Sequence, residues 1–147
     1  MADASKKGTK YNFEWLVERG KIRELVQAIG DQNPIYNELD AALAEGYDDV
    51  VASPTFTTVP LMWTGVLFQA FADLKMNHAR CMHAEQSYEY FTQIHPGDVL
   101  SGLMEVKSII HREGKSGPLD FVLFEMTYTN QRQETVLREE MLVVERL

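Results

Sequence analysis

Cysteine is almost absent: Cys81 is the one thiol in 147 residues, so neither an intrachain disulfide nor a cysteine-rich zinc site is available, which fits a reducing cytoplasm. Cationic side chains are also scarce, with 14 Lys and Arg against 22 Asp and Glu and a formal net charge of −8. Nucleic acids and anionic membrane surfaces are read by clustered Lys and Arg, so neither is an expected partner, though a local basic patch would still hold a phosphate. Long apolar runs are missing. The longest, near Leu61 to Leu74, is interrupted by Thr64, Gln69 and Asp73 and is too short to span a bilayer. Residues 1–10, MADASKKGTK, carry lysines with no apolar stretch behind them; they lack the middle of a secretory signal and read as a loose leader. No linker, repeat or second domain is visible, and the length suits one core. The expectation is a soluble, cytoplasmic, single-domain protein.

Hydrophobic residues make up 45% of the chain, enough to build that core. Ile22, Leu25, Val26 and Ile29 recur at helical spacing, and Gly30 supplies a stop. The next residues, Asp31-Gln32-Asn33-Pro34, are dense in turn formers. A short helix is expected over Asp40 to Glu45, with Asp40 as N-cap and Gly46 at its end. From about Val59 to Leu74, Leu61, Met62, Trp63, Val66, Leu67, Phe68, Ala70 and Phe71 cover nearly the whole helix circumference, a pattern a helix tolerates when it is buried on most sides. Beyond Met82 the period becomes two. Tyr88 and Tyr90 alternate in a first strand; Leu100, Met104, Val106, Ser108 and Ile110 line one face of a second. Val122, Phe124, Met126 and Tyr128 line a third, and Leu137, Met141 and Val143 a fourth, with turns at 113–118 and 130–134. Helices first and hairpin-linked strands after make an α+β architecture, an antiparallel sheet wrapped around a central buried helix. That description is a hot-dog fold.

Several motifs then resemble one family. Glu18 to Leu25, Ala28 to Tyr36, Ala44-Glu45-Gly46-Tyr47 and Ala52-Ser53-Pro54-Thr55-Phe56 are similar to the N-terminal type of MaoC-like hydratase/dehydratase domain. So are His83 to Tyr90, Pro96-Gly97-Asp98 and the 130–134 turn. The resemblance runs over nearly the whole chain in the family's order. It implies reversible addition of water to a 2-enoyl thioester, with an acyl-CoA or acyl-carrier-protein thioester as ligand. No cofactor is expected, and because a small sheet wrapped on one helix leaves an edge and a face that a partner covers, a homodimer or a heterodimer with a homologous MaoC-like chain is expected. In the R-specific hydratases of that superfamily, Gly-Asp-x-Asn-Pro is followed by a histidine that works with the aspartate. Gly30, Asp31, Asn33 and Pro34 match, but Tyr36 stands at the histidine position.

Hydration of an enoyl thioester needs a base for water, a proton donor for the α-carbon and donors for the thioester oxygen. Asp31 suits the first role; the plain alternative is a turn-forming aspartate. Tyr36, with an ordinary pKa of about 10, donates well and accepts poorly at neutral pH, so it serves as a proton donor or as a pocket-wall residue. His83 is the other titrating candidate, and Glu85, two residues on, is expected on the same strand face. Its alternative is an ordinary hydrogen-bonded histidine. Ser53, Thr55 and the amides of Thr55 and Phe56 precede the central helix, where they would polarise a carbonyl or simply cap the helix. Asn33 joins them as a substrate-binding candidate through the motif. Trp63, Phe68 and Phe71 would line an acyl tunnel or fill the core. His78, His95 and His111 receive no role, and His83-x-Glu85 without a second ligand cluster gives no metal site. Two further readings stay open: an acyl-binding subunit that leaves chemistry to its partner, favoured by Tyr36, and a thioesterase using Glu85 or Asp31.

Overall fold

The computed structural model describes residues 1–115 and 117–147; Ser116, in the expected 113–118 turn, lies outside the described residues. Five strands, β1 (Lys10–Leu16), β2 (Cys81–Tyr90), β3 (Val99–Gly114), β4 (Gly117–Thr129) and β5 (Thr135–Arg146), form one sheet in the order β1-β3-β4-β5-β2. Every neighbouring pair is antiparallel. The helices are α1 (Arg19–Ile29), α2 (Leu39–Ala44), α3 (Thr58–Trp63) and α4 (Val66–Asp73). Leu61, Val66, Ala70, Phe71 and Leu74 from α3 and α4 and the residue after them share one core with Leu100, Met104, Phe124, Met126, Tyr128 and Leu137 of the sheet. The helix-on-curved-sheet arrangement is therefore present, as expected for a hot-dog domain.

The alternation in β4 is realised fully: Val122, Phe124, Met126 and Tyr128 are all completely buried. In β5, Leu137, Met141 and Val143 are buried as expected, and Glu139 lies between them on the same buried face. In β3 the pattern breaks. An extra residue at Lys107 separates Val106, paired with Phe124, from Ser108, paired with Leu123, and a bulge of this kind reverses which side chains face inward. Ile110 is consequently 43% exposed and Ile109 takes the inner position against Val122.

Three other expectations change. Residues 1–10 are packed rather than loose: Ala2 is buried with its amide on Asp120, and the Asp3 amide donates to the Leu74 carbonyl at 2.9 Å. The strand β1 that follows carries Tyr11, Phe13 and Trp15 in alternation. The central helix is broken, because Gly65 adopts a left-handed φ of 74° between α3 and α4. It is also not covered on most sides, since Trp63 is 67%, Met62 51% and Phe68 39% exposed. Finally, α2 starts one residue early, with Glu38 as its N-cap.

Gly102 of β3 lies opposite Phe13 and Tyr128. The Phe13 ring crosses it to meet Tyr128 edge-on, with ring centroids 5.7 Å apart. A Cβ at 102 would fall inside that ring. Gly102→Ala should therefore cost about 2 kcal/mol or more through overpacking, read as a fall in Tm of roughly 5 °C; an unchanged Tm would show that Phe13 swings away freely.

Candidate active site

The loop after α1 is shaped by its own side chains. Gly30 ends the helix at φ 73°, with its amide shared between the Gln27 and Val26 carbonyls, and the Asp31 amide returns to the Val26 carbonyl at 2.9 Å. The Asp31 carboxylate accepts from the Asn33 amide at 2.9 Å and Asn33 Oδ1 accepts from the Ile35 amide at 3.2 Å. Pro34 then opens a single 3₁₀ turn that ends at Tyr36. Two successive side-chain turns of this type fix the loop without help from a sheet. They bring Asp31 close enough to Tyr36 that burial, aided by Asp31 and Tyr47, pushes the phenol above its ordinary value. Tyr36 thus keeps its proton throughout the neutral range.

A second segment, 53–57, faces this loop. Ala52 is anchored by its amide to the Ile94 carbonyl and Val51 by its amide to the Ile35 carbonyl, at 2.8 and 3.3 Å. The Phe56 amide is already given to the Ser53 carbonyl at 2.9 Å, so it is not free to polarise a ligand. Thr55 is exposed, and its carbonyl accepts from both the amide and the hydroxyl of Thr58. Neither Thr57 nor its neighbours cap α3 through a side chain. Ser53 and Thr57 are instead fully buried; the Ser53 hydroxyl has no hydrogen-bond partner among the described residues, and the Thr57 hydroxyl lies beside Glu139 and Tyr128. The Tyr90 hydroxyl, from the far end of β2, donates to the Pro54 carbonyl at 2.7 Å, and burial among Glu139, Tyr88 and Tyr36 pushes its pKa up. Asp31, Tyr36 and Tyr90 therefore gather at one end of β2, beside residues 53–54.

His83 stands elsewhere. It is exposed, seven positions back along the strand from Tyr90, which is about 20 Å at strand rise, so one chain does not bring it to Asp31. An extra residue at Ala84 shifts the register between His83 and Glu85. His83 consequently pairs with inward Val143 while Glu85 pairs with Leu142 on the outer face, and the expected shared face for His83 and Glu85 does not exist. His83 and Gln86 instead both line a cavity of about 280 Å³, whose apolar wall includes Leu61, Phe68, Phe71 and Met141.

Between the two ends lies a group that the patterning passed over. Glu139 is 1% exposed; Gln86 Nε2 donates to its Oε1, while its Oε2 and the hydroxyls of Thr57 and Tyr128 lack well-formed partners among the described residues. Burial pushes its carboxyl up to about 7, against the opposing pull of Thr57, Tyr128 and Gln86 nearby. The signal was legible, because an acidic residue two positions from Leu137 and Met141 must share their buried face. Among the described residues no three His, Cys, Asp or Glu side chains are grouped as metal ligands, and no helix is long and apolar enough to cross a membrane.

A family model, the FAS1-like dehydratase domain region, matches residues 7–139. The chain belongs to this MaoC-like dehydratase family. A UPF0336 protein of Saccharopolyspora erythraea is 32% identical over 130 residues, 88% of this chain and 81% of that protein. Against a Streptomyces avermitilis UPF0336 protein, 37% identical over 94 residues, the chain spans 62% of the relative's length. A solved MaoC-like dehydratase superposes with a TM-score of 0.82 and 28% identity over 97% of this chain and 42% of that one. The C-terminally truncated HadBC (3R-hydroxyacyl-ACP dehydratase) complex of Mycobacterium tuberculosis gives a TM-score of 0.81 at 23% identity, over 95% and 96% of the two chains. This last likeness establishes the hot-dog fold of the MaoC-like chain.

Proposed function

We propose that this MaoC-like chain takes part in the reversible hydration of a 2-enoyl thioester to the 3-hydroxyacyl thioester. The observation that carries the reading is the Asp31–Tyr36 pair, a carboxylate held by a turn beside a phenol that keeps its proton. Asp31 would take a proton from water as it adds to the β-carbon, and Tyr36 would donate toward the α-carbon or orient the ligand. Thr55, which is exposed, would contact the thioester end and Asn33 the loop side, while the buried Ser53 would support the segment behind them. The apolar cavity on the other half of β2 suits an acyl chain.

A second reading is favoured by a specific observation: Tyr36 cannot replace a titrating histidine, and His83 lies about 20 Å away along its strand. In that reading the chain is the acyl-binding half of a heterodimer whose partner supplies the complete acid–base set. Both readings include pairing with a MaoC-like chain, because β2 is an edge strand, Met62 and Phe68 are exposed beside it, and Trp63 is exposed at the end of α3. The thioesterase alternative loses its Glu85 version, since that residue faces away from the cavity, and keeps Asp31.

The test follows loss of enoyl absorbance of a trans-2-enoyl thioester with the purified chain alone and with a homologous MaoC-like partner, alongside thiol release from a saturated acyl-CoA. Activity alone supports the first reading, and recovery only with the partner supports the second. Thiol release without hydration sinks both. Tyr36→Phe is expected to lower turnover about tenfold or more if the phenol donates a proton, and to leave turnover intact if the ring is a wall.

A further inference from the structure

We propose that the outer face of the sheet is a docking surface for a second copy of this chain, the two sheets packing back to back with their strands antiparallel. This face lies across the sheet from the helices and the cavity, so the pairing owes nothing to the reaction, and it is separate from the β2 edge.

Residues paired across neighbouring strands point to the same face. On the side away from the core they form four rows. Arg112, Leu119 and Arg146 make the first, and Ile110, Phe121, Val144 and Met82 the second. Ser108, Leu123, Leu142 and Glu85 make the third, and Glu105, Glu125 and Glu140 the fourth. The two middle rows are mostly apolar and open to solvent, with Ile110 43% and Met82 50% exposed. A groove of about 430 Å³ is lined by Ile110, Phe121, Leu123 and Leu142. An apolar patch of this kind with a charged rim marks an interaction surface.

The rim says which partner fits. Its two ends are opposite in charge: arginines beyond the second row, glutamates beyond the third. Lys107 already bridges Glu105 and Glu125, while Glu140 and Arg146 are exposed and form no ion pair among the described residues. Glu140 and Arg146 stand six positions apart on β5, about 20 Å at strand rise, with Val143 midway. Glu125 and Leu119 stand six apart on β4 with Val122 midway, and Val122 pairs with Val143. A twofold axis lying between two such sheets and crossing the strands at the Val122–Val143 row therefore sets Arg146 of each copy over Glu140 of the other, and apolar row on apolar row. Facing sheets pack about 10 Å apart, within reach of both side chains. An axis along the strands would instead set arginine against arginine. The face is complementary to itself, end for end.

Sedimentation of the intact chain over a concentration series should give twice the mass of Leu142→Lys, whatever pairs with β2. Arg146→Glu and Glu140→Arg, each placing like charges together at two symmetric points, should each weaken self-association by about tenfold or more. The double variant Arg146→Glu/Glu140→Arg exchanges the two ends and should restore wild-type association to within about threefold. Both positions are exposed, so this swap serves if Leu142→Lys does not fold. A mass that Leu142→Lys leaves unchanged, single reversals without effect, or a double variant as weak as the single ones overturns the inference. Assembly through this face that appears only with a homologous MaoC-like chain, and is lost in Leu142→Lys, assigns the surface to that chain and overturns it as well.

Discussion

Glu139→Gln is expected to make the protein more stable at pH 8 by about 3 kcal/mol while changing little at pH 5. The folded carboxyl titrates at about 7, above its ordinary 4.5, so between those values the native state holds a proton that the unfolded chain has released. Native stability therefore falls as pH rises from about 4.5 and reaches its full deficit above about 7. Each pKa unit is worth about 1.4 kcal/mol, giving about 3 kcal/mol for this shift and under about 1 kcal/mol at pH 5. Glutamine removes the ionisation and keeps the polar contacts: its carbonyl accepts from Gln86, and its NH₂ can donate to the Thr57 and Tyr128 hydroxyls beside it. Urea unfolding at the two pH values measures the gap. Equal midpoint shifts at both would mean that the variant acts through packing and not through charge.

Asp31→Asn should lower enoyl-thioester hydration by roughly 10²- to 10⁴-fold, the usual contribution of a general base, in whichever assembly is active. Asparagine retains the oxygen that accepts from the Asn33 amide, so the turn and the position of Tyr36 survive and Tm should hold. Asp31→Ala removes both the oxygen and the turn, and is expected to lose activity together with local order. Wild-type turnover in Asp31→Asn would remove the aspartate from the chemistry and leave it as a turn former.

The fold was legible where the chain repeats a simple period. Val122, Phe124, Met126 and Tyr128 alternate without interruption, and the structure buries all four. Legibility failed wherever one residue changes the phase. Lys107 in β3 sends Ile110 outward, Ala84 in β2 separates His83 from Glu85, and Gly65 divides a helix whose composition alone reads as continuous. Strand β1 was readable from Tyr11, Phe13 and Trp15 but was overshadowed by the lysine-rich residues before it. The loop at Asp31 was found because turn chemistry is local; its neighbours Tyr90 and Pro54, 36 residues apart, meet only through the sheet. Glu139 shares the face of Leu137 and Met141 by period alone, but a carboxylate adds nothing to a hydrophobic pattern.

The extra residue at Ala84 has a bearing on comparison between relatives. A strand with a phase change carries two reading frames, one ending at His83 and one beginning at Glu85. In a homologue without the insertion, every position on one side of the gap trades inner for outer, so identical letters at equal spacing would hold unlike places. Counting residues from a shared motif would then match cavity-lining side chains of one protein with solvent-facing ones of another. Aligning by sheet partner, with Gln86 opposite Met141 as the fixed point, avoids the error and decides which relatives truly share the same wall.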